Sequence, residues 1–138
     1  MIATIYPYLV TNGNGQEAVK FYEDALGAEV LNVQTFGDLP DNPEHPTPPE
    51  AKELVLNAHL KVGNTDLMLS DTYPGMPYQL GDQVSVAIIV ETVEDARKVF
   101  GKLEAGGKVG MPLQQTFWSP LYGLVTDRFG VAWHVSAK

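Results

Sequence analysis

The side chains best suited to proton or metal chemistry in this sequence are its 3 histidines, since it contains no cysteine and therefore no thiol nucleophile, disulfide or thiolate metal site. His59 and His134 lie in strand-like runs, ELVLNAHLKV and VAWHVSA. Two imidazoles are a start toward a zinc, nickel or iron site, but a stable site takes about three or four protein donors. No clear third donor accompanies them. They read equally well as proton-transfer groups or as neutral imidazoles hydrogen-bonded to neighbours. His45 falls in a proline-rich stretch and reads as solvated. A second candidate is Gly13-Asn14-Gly15-Gln16-Glu17-Ala18, which fits the G-x-G-x-x-A dinucleotide pattern and has Asp38 downstream. Pro7 lies in the preceding strand, where a central parallel strand excludes proline, and no second β-α-β unit follows. The motif therefore reads as a glycine-rich turn entering a helix, and no nucleotide cofactor is expected.

The elements that must position these residues follow from periodicity. Residues 2–10, IATIYPYLV, are β-branched and aromatic and predict a strand that ends at the turn formers Asn12 to Gly15. Ala18, Val19, Phe21, Tyr22, Ala25 and Leu26 then recur at helical spacing, with Gly27 placed to stop the helix. Residues 28–36 predict a strand. The segment 37–51 holds five prolines and predicts a long exposed loop. Residues 53–62 and 65–70 predict a hairpin around Gly63-Asn64. The second half repeats the order: a strand over 83–90, a helix over 93–105 with Thr92 as N-cap and Asp95 three residues on, then strands over 108–116, 122–127 and 131–136. Asp127-Arg128-Phe129-Gly130 predicts the last turn. Ala18 matches Ala96, Phe21-Tyr22 matches Val99-Phe100, and Gly27-Ala28-Glu29-Val30 matches Gly106-Gly107-Lys108-Val109 at a near-constant offset. The expected fold class is α+β: one domain over residues 1–138 made of two β-α-β-β-β modules, about 1–80 and 81–138, with curved mixed sheets around a cleft and helices on the outer face.

Strand alternation assigns faces. Leu54, Leu56, Ala58, Leu60 and Val62 predict an apolar face toward the helices, opposite Val55, Asn57, His59 and Lys61. Leu67 and Leu69 oppose Asp66, Met68 and Ser70. Val84, Val86 and Ile88 oppose Ser85, Ala87 and Ile89, and Val131, Trp133 and Val135 oppose Ala132, His134 and Ser136. The second faces mix polar and apolar residues, as the lining of a binding cleft does.

Composition excludes several classes. With 44% hydrophobic and 19% charged residues the chain can bury a core. Its 17 acidic against 9 basic residues give a net charge of −8, with no basic stripe for nucleic acid. The first residues lack a signal peptide's charged start and long apolar run, and no window is apolar enough to span a membrane. The sequence reads as soluble and cytoplasmic.

The duplicated plan, together with Pro7-Tyr8-Leu9, Glu17-Ala18, Phe21-Tyr22, His59, Leu67-Met68-Leu69-Ser70-Asp71 and above all MPLQQTFWSPLYGLVTDRFGVAW at 111–133, resembles the vicinal oxygen chelate superfamily of glyoxalase I, extradiol dioxygenases and bleomycin-resistance proteins. Within it the chain is similar to the PhnB-like branch. The resemblance implies two modules whose sheets close around a pocket, usually completed by a homodimer. It also implies four strand positions that hold a divalent metal in the metalloenzymes, which fall here on Tyr6 or Tyr8, Met68, Ser85 and His134. Only His134 is an ordinary ligand among them; the other three positions lack the nitrogen or carboxylate donors that such a metal takes.

The expected function is binding of a small organic molecule in the cleft. His134 and His59 are the candidate proton-transfer or partial metal-binding groups, and Tyr6, Tyr8, Asn57, Met68, Ser85, Gln114, Phe117 and Trp118 the candidate lining. Tyr8, Asn57 and Ser85 are the neighbours expected to hydrogen-bond the imidazoles. Phe117 and Trp118 either wall the pocket or bury against a second subunit. One alternative is a divalent-metal-dependent lyase, isomerase or dioxygenase; another is an oligomerisation module without ligand. The 37–51 loop is a candidate lid. Limited proteolysis should then cut it more slowly once a ligand is bound, and equal cutting rejects the lid.

Overall fold

A computed structural model describes residues 1–138. The chain divides into two compact units, Met1–Tyr78 and Gln79–Lys138. Unit 1 contains β1 (Tyr8–Thr11), α1 (Gly15–Leu26), β2 (Glu29–Thr35), β3 (Val55–Val62) and β4 (Thr65–Asp71); unit 2 contains β5 (Val86–Val90), α2 (Val93–Glu104), β6 (Lys108–Gln114), β7 (Tyr122–Thr126) and β8 (Ala132–Ala137). The sheets have matching orders, β1-β4-β3-β2 and β5-β8-β7-β6. In each, the first strand runs parallel to the last and the other pairs are antiparallel. The α+β class and duplicated element order are those read from the sequence, and a parallel nucleotide-binding sheet is absent. No helix is long and apolar enough to cross a membrane.

Each helix packs on one face of its own sheet. From α1, Ala18, Val19, Tyr22 and Ala25 are buried against Leu9, Ala58, Leu60, Leu67 and Leu69. From α2, Ala96, Phe100 and Leu103 are buried against Val125, Trp133 and Val135. Gly27 takes a left-handed φ of 63° at the α1 C-cap, as its position requires. Thr92 accepts from Asp95 N at 3.0 Å, the expected N-cap of α2.

The α1 N-terminus departs from the usual capping pattern. Asn14 makes no side-chain cap; the buried carboxylate of Asp71, at the end of β4, takes that role from another strand. Its Oδ1 accepts from Thr11 Oγ1 at 2.7 Å, Gly15 N at 2.9 Å and Gly13 N at 3.0 Å, and its Oδ2 accepts from Val55 N at 2.8 Å. A Cβ on Gly15 would stand 2.7 Å from Asp71 Oδ2 and 2.9 Å from Val55 Cγ2. The G-x-G-x-x-A glycines thus fold around the protein's own anion. The site that helix N-termini offer to phosphates is filled from within.

Several strand limits and faces differ from expectation, each for a local reason. Residues 2–7 join no strand; Pro7 has no N–H to donate, and β1 begins at Tyr8. Val84 and Ser85 precede β5 rather than starting it, and Val84 is exposed rather than core-facing. In β6 the register breaks between Val109 and Met111 and between Met111 and Gln114, where Gly110 and Pro112 interrupt the ladder, and the strand stops at Gln114. Val55 is fully buried, not on the mixed face, because the register slips between Gln34 and Thr35 beside it. The 37–51 loop is tied at its ends by Gly37 N to Lys52 O at 2.9 Å and Phe36 N to Leu54 O at 3.0 Å, and it includes a 3-10 turn at Pro49–Ala51.

Asp71→Asn replaces one acceptor oxygen by an NH2 group facing donors, so it should cost about 3 kcal/mol of stability. Thermal unfolding should show a midpoint lowered by roughly 10 °C. Gly15→Ala should destabilise through the same cradle, and an unchanged midpoint in either variant contradicts this account.

Candidate functional site

On the helix-free face of the unit 1 sheet, one register row runs Tyr8, Met68, His59, Asn32 across β1, β4, β3 and β2. Met68 and His59 are partly covered, and Tyr8 is half exposed. Asn57 Nδ2 donates to Tyr8 Oη at 3.4 Å, a long bond. The Tyr6 ring lies 6.0 Å from the His59 ring between centroids. The hydrogen-bond partner of His59 is Asp66, whose Oδ2 lies 2.6 Å from Nε2. Lys61 opposes Asp66 in the β3–β4 register and His59 opposes Met68, so His59 and Asp66 are diagonal neighbours on one face, within reach of side chains of this size.

Unit 2 has a different arrangement on the corresponding face. His134 opposes Ala87 on β5 and Leu124 on β7. Its Nδ1 lies 2.6 Å from Tyr122 Oη and its Nε2 3.0 Å from Ser85 Oγ. The Tyr122 and His134 rings stack at 5.9 Å, Trp118 meets Tyr122 edge-on at 5.3 Å, and Phe117 meets Trp118 at 4.8 Å. Gln114 pairs with Tyr122 across β6–β7, so it shares that face, and its side-chain amide donates to Pro112 O at 3.3 Å. Phe117 and Trp118 remain exposed, at 97% and 56%. The loop carrying them is fixed by buried Ser119, whose hydroxyl donates to Ala137 O at 2.7 Å and accepts from Leu121 N. Asp127 builds the last turn as expected, accepting from Phe129 N and Val131 N, and it also takes the Trp133 indole N–H at 2.8 Å.

The candidate residues therefore form two groups: Tyr6, Tyr8, Asn57, His59 and Met68 on unit 1, and Ser85, Gln114, Phe117, Trp118 and His134 on unit 2. Ser85 is the neighbour of His134, one of those expected. Neither Tyr8 nor Asn57 bonds His59. Two partners escaped the sequence reading. Asp66 was placed on the correct face, but its pairing with His59 depends on hairpin register; Tyr122 was read only as aromatic mass. The Gly63-Asn64 turn and a count back from it would have indicated the first.

The chain was compared with known proteins. The model of the Glyoxalase/Bleomycin resistance protein/Dioxygenase superfamily matches residues 4–135. The chain belongs to this superfamily. Among relatives of this glyoxalase-superfamily chain, the protein YjdN of Escherichia coli strain K12 is 31% identical over 136 residues, covering 94% of this chain and 92% of its own. The crystal structure of protein PA1353 from Pseudomonas aeruginosa has a TM-score of 0.88 at 39% identity, with 99% and 98% of the two chains covered. A structure described as a putative 3-demethylubiquinone-9 3-methyltransferase, PhnB protein, from Bacillus cereus has a TM-score of 0.79 at 23% identity, with 98% and 99% covered; that likeness is one of fold.

The superfamily's metal chemistry can be tested against the donors present. Tyr6 and Ser85 each lie two residues ahead of Tyr8 and Ala87, the first-strand residues that oppose Met68 and His134. These four positions supply a phenol, a thioether, an aliphatic hydroxyl and one imidazole, whose two nitrogens both face hydroxyls. Within neither unit do three His, Asp or Glu side chains gather. A hard or borderline divalent cation needs more carboxylate or imidazole than this, so the donor set does not fit a resident metal.

Tyr122→Phe removes the hydroxyl that fixes His134 while keeping the ring stack. It should cost about 1 kcal/mol, read from denaturant unfolding, and histidine side-chain NMR should show the His134 ring signals changed; unmoved His134 signals would contradict the bond.

Proposed function

We propose that this glyoxalase-superfamily protein binds a small organic molecule, and that it does so on the helix-free sheet faces that carry the two imidazole groups, in the manner of a PhnB-like member. The observation that supports this most is the composition of those faces. A surface of Tyr6, Tyr8, Asn57, His59 and Met68, and a second of Ser85, Gln114, Tyr122, His134 and Trp118, combine aromatic mass with a few directed polar atoms, the pattern of small-molecule sites. Neither face is basic, so the occupant is neutral or carries positive charge; a phosphonate or another strong anion suits it poorly in a chain with a net charge of −8. The half-exposed rings of Tyr8 and Trp118 supply stacking surface, and the imidazoles supply direction. A homodimer, as the family resemblance implies, is part of this reading, with exposed Phe117 and Trp118 the residues through which a second copy would meet unit 2.

The experiment is a thermal-shift screen of neutral and cationic aromatic compounds, with divalent metals as a separate arm. A ligand at 100 times its dissociation constant adds about 2.7 kcal/mol, enough to raise the midpoint by several degrees. Tyr8→Ala should abolish the shift of a compound held by the unit 1 face and His134→Ala that of a compound held by the unit 2 face, and Lys98→Ala, on the exposed side of α2, should keep both. Shifts that survive both site variants reject these faces. Stoichiometric zinc, nickel, iron or manganese that is lost in His134→Ala would favour the metalloenzyme alternative instead.

A further inference from the structure

The two imidazoles are wired differently, and the difference assigns them different capacities. His134 meets a hydroxyl at each ring nitrogen, Tyr122 at Nδ1 and Ser85 at Nε2. Hydroxyls both donate and accept, so either neutral tautomer of His134 is satisfied and neither nitrogen offers a free lone pair. His59 has a single hydrogen-bond partner, and that partner is a carboxylate that only accepts. The proton of neutral His59 therefore sits on Nε2 and donates to Asp66 Oδ2, which leaves the Nδ1 lone pair without a partner. Its ring is part-buried, at 27% side-chain exposure, with Asp66 at 19%, and it lies beside the Tyr6 ring, with the half-exposed Tyr8 in the same row.

We infer that His59 Nδ1 is a proton acceptor toward the bound molecule and that Asp66 is its positioning residue, holding the tautomer and stabilising the imidazolium that forms. This deepens the proposed function and rests on its reading of the unit 1 face as ligand-binding. It assigns a role to Asp66 and separates the two histidines: His59 takes the proton, His134 orients. The fitting occupant is an aromatic or other flat molecule with an acidic O–H, N–H or activated C–H. With an O–H or N–H the contact is a hydrogen bond or a full transfer; with an activated C–H the carbon–hydrogen bond breaks, its electron pair stays on the substrate, and Nδ1 gains the proton. A carboxylate that fixes an imidazole this way is the arrangement by which general bases are oriented.

The test uses the full chain and 5-nitrobenzisoxazole, whose C3 proton is removed by a base while the ring N–O bond breaks to give a cyanophenolate. The unreactive shape-mimic 5-nitrobenzofuran serves as a binding probe. Nitrogen-15 NMR of the histidine side chains should show His59 with a protonated Nε2 and a bare Nδ1, and Asp66→Asn should shift those signals toward a mixture of tautomers. His59→Ala should lower the elimination rate by about tenfold or more, Asp66→Asn by an intermediate factor, and Lys98→Ala not at all. The nitrobenzofuran should perturb the resonances of Tyr6, Tyr8 and Asn57. If it binds there but elimination is absent or survives His59→Ala undiminished, the proton-acceptor assignment is overturned and the binding reading stands. If His59 carries its proton on Nδ1, the assignment is likewise overturned. If the probe leaves the unit 1 face untouched and no elimination occurs, both are overturned.

Discussion

Unit 1 is organised around one buried carboxylate. Asp71 ends β4, yet its four bonds reach Thr11 on β1, the Gly13–Gly15 turn and Val55 at the start of β3. Those are the points where the chain changes from strand to helix and from loop to strand, and backbone donors there have no ladder partner. A buried N–H left unpaired costs about 1–3 kcal/mol, so a single acceptor serving three of them, plus a hydroxyl, holds together elements that contact order alone would leave loose. By fixing β1 against β4 and the start of β3 against both, it sets the register in which Tyr8, Met68 and His59 share a row. The candidate face is thus positioned by an interaction on the opposite side of the same sheet.

Unit 2 solves the matching problem elsewhere. Asp127 is buried and accepts from Phe129 N, Val131 N and the Trp133 indole, so the carboxylate stands at the β7–β8 turn rather than at a helix N-terminus. The helix is then free to use a conventional cap, Thr92. Duplication preserved the element order and the sheet order, while the polar anchor sits at a different corner in each copy. This explains why matching residues across the halves locate the helices, whose apolar spacing is shared, but not the buried acids.

The fold was largely legible because its signals are local. Helical spacing of Ala18, Val19, Tyr22 and Ala25, the Gly27 stop and the Thr92 cap depend on neighbours a few residues away. Strand faces were legible wherever alternation ran unbroken, as at Leu67 to Ser70 and Trp133 to Ser136, and failed at the register slip beside Val55, whereas strand limits moved where a proline or a slip intervened, as at Tyr6 and just past Gln114. The site was legible as a set of faces and not as a set of bonds. Asp66 is seven residues from His59, and nothing in residue type says that a carboxylate on the next strand will reach that ring. Likewise the glycine motif is real as backbone geometry, but whether it encloses a phosphate or a side chain is decided by a residue, Asp71, more than fifty positions away in sequence.

The superfamily's fold carries its chemistry on strand positions, and what those positions do depends on the donors they hold. Where Met68 and Ser85 stand, a metal loses the hard ligands that would polarise a substrate oxygen. A protein without that Lewis acid can still act on a ligand if a base is held in the right tautomer. On unit 1 an acceptor-only partner on one His59 nitrogen leaves the other with an open lone pair, and the proposed base rests on that arrangement. On unit 2, two hydroxyl partners close the ring off, and the same residue type becomes an anchor with a stacked tyrosine. The distinction lies in the hydrogen-bond valence of the neighbours, carboxylate against hydroxyl, and it is this valence, more than the count of histidines, that separates a reactive imidazole from a structural one in a sheet of this kind.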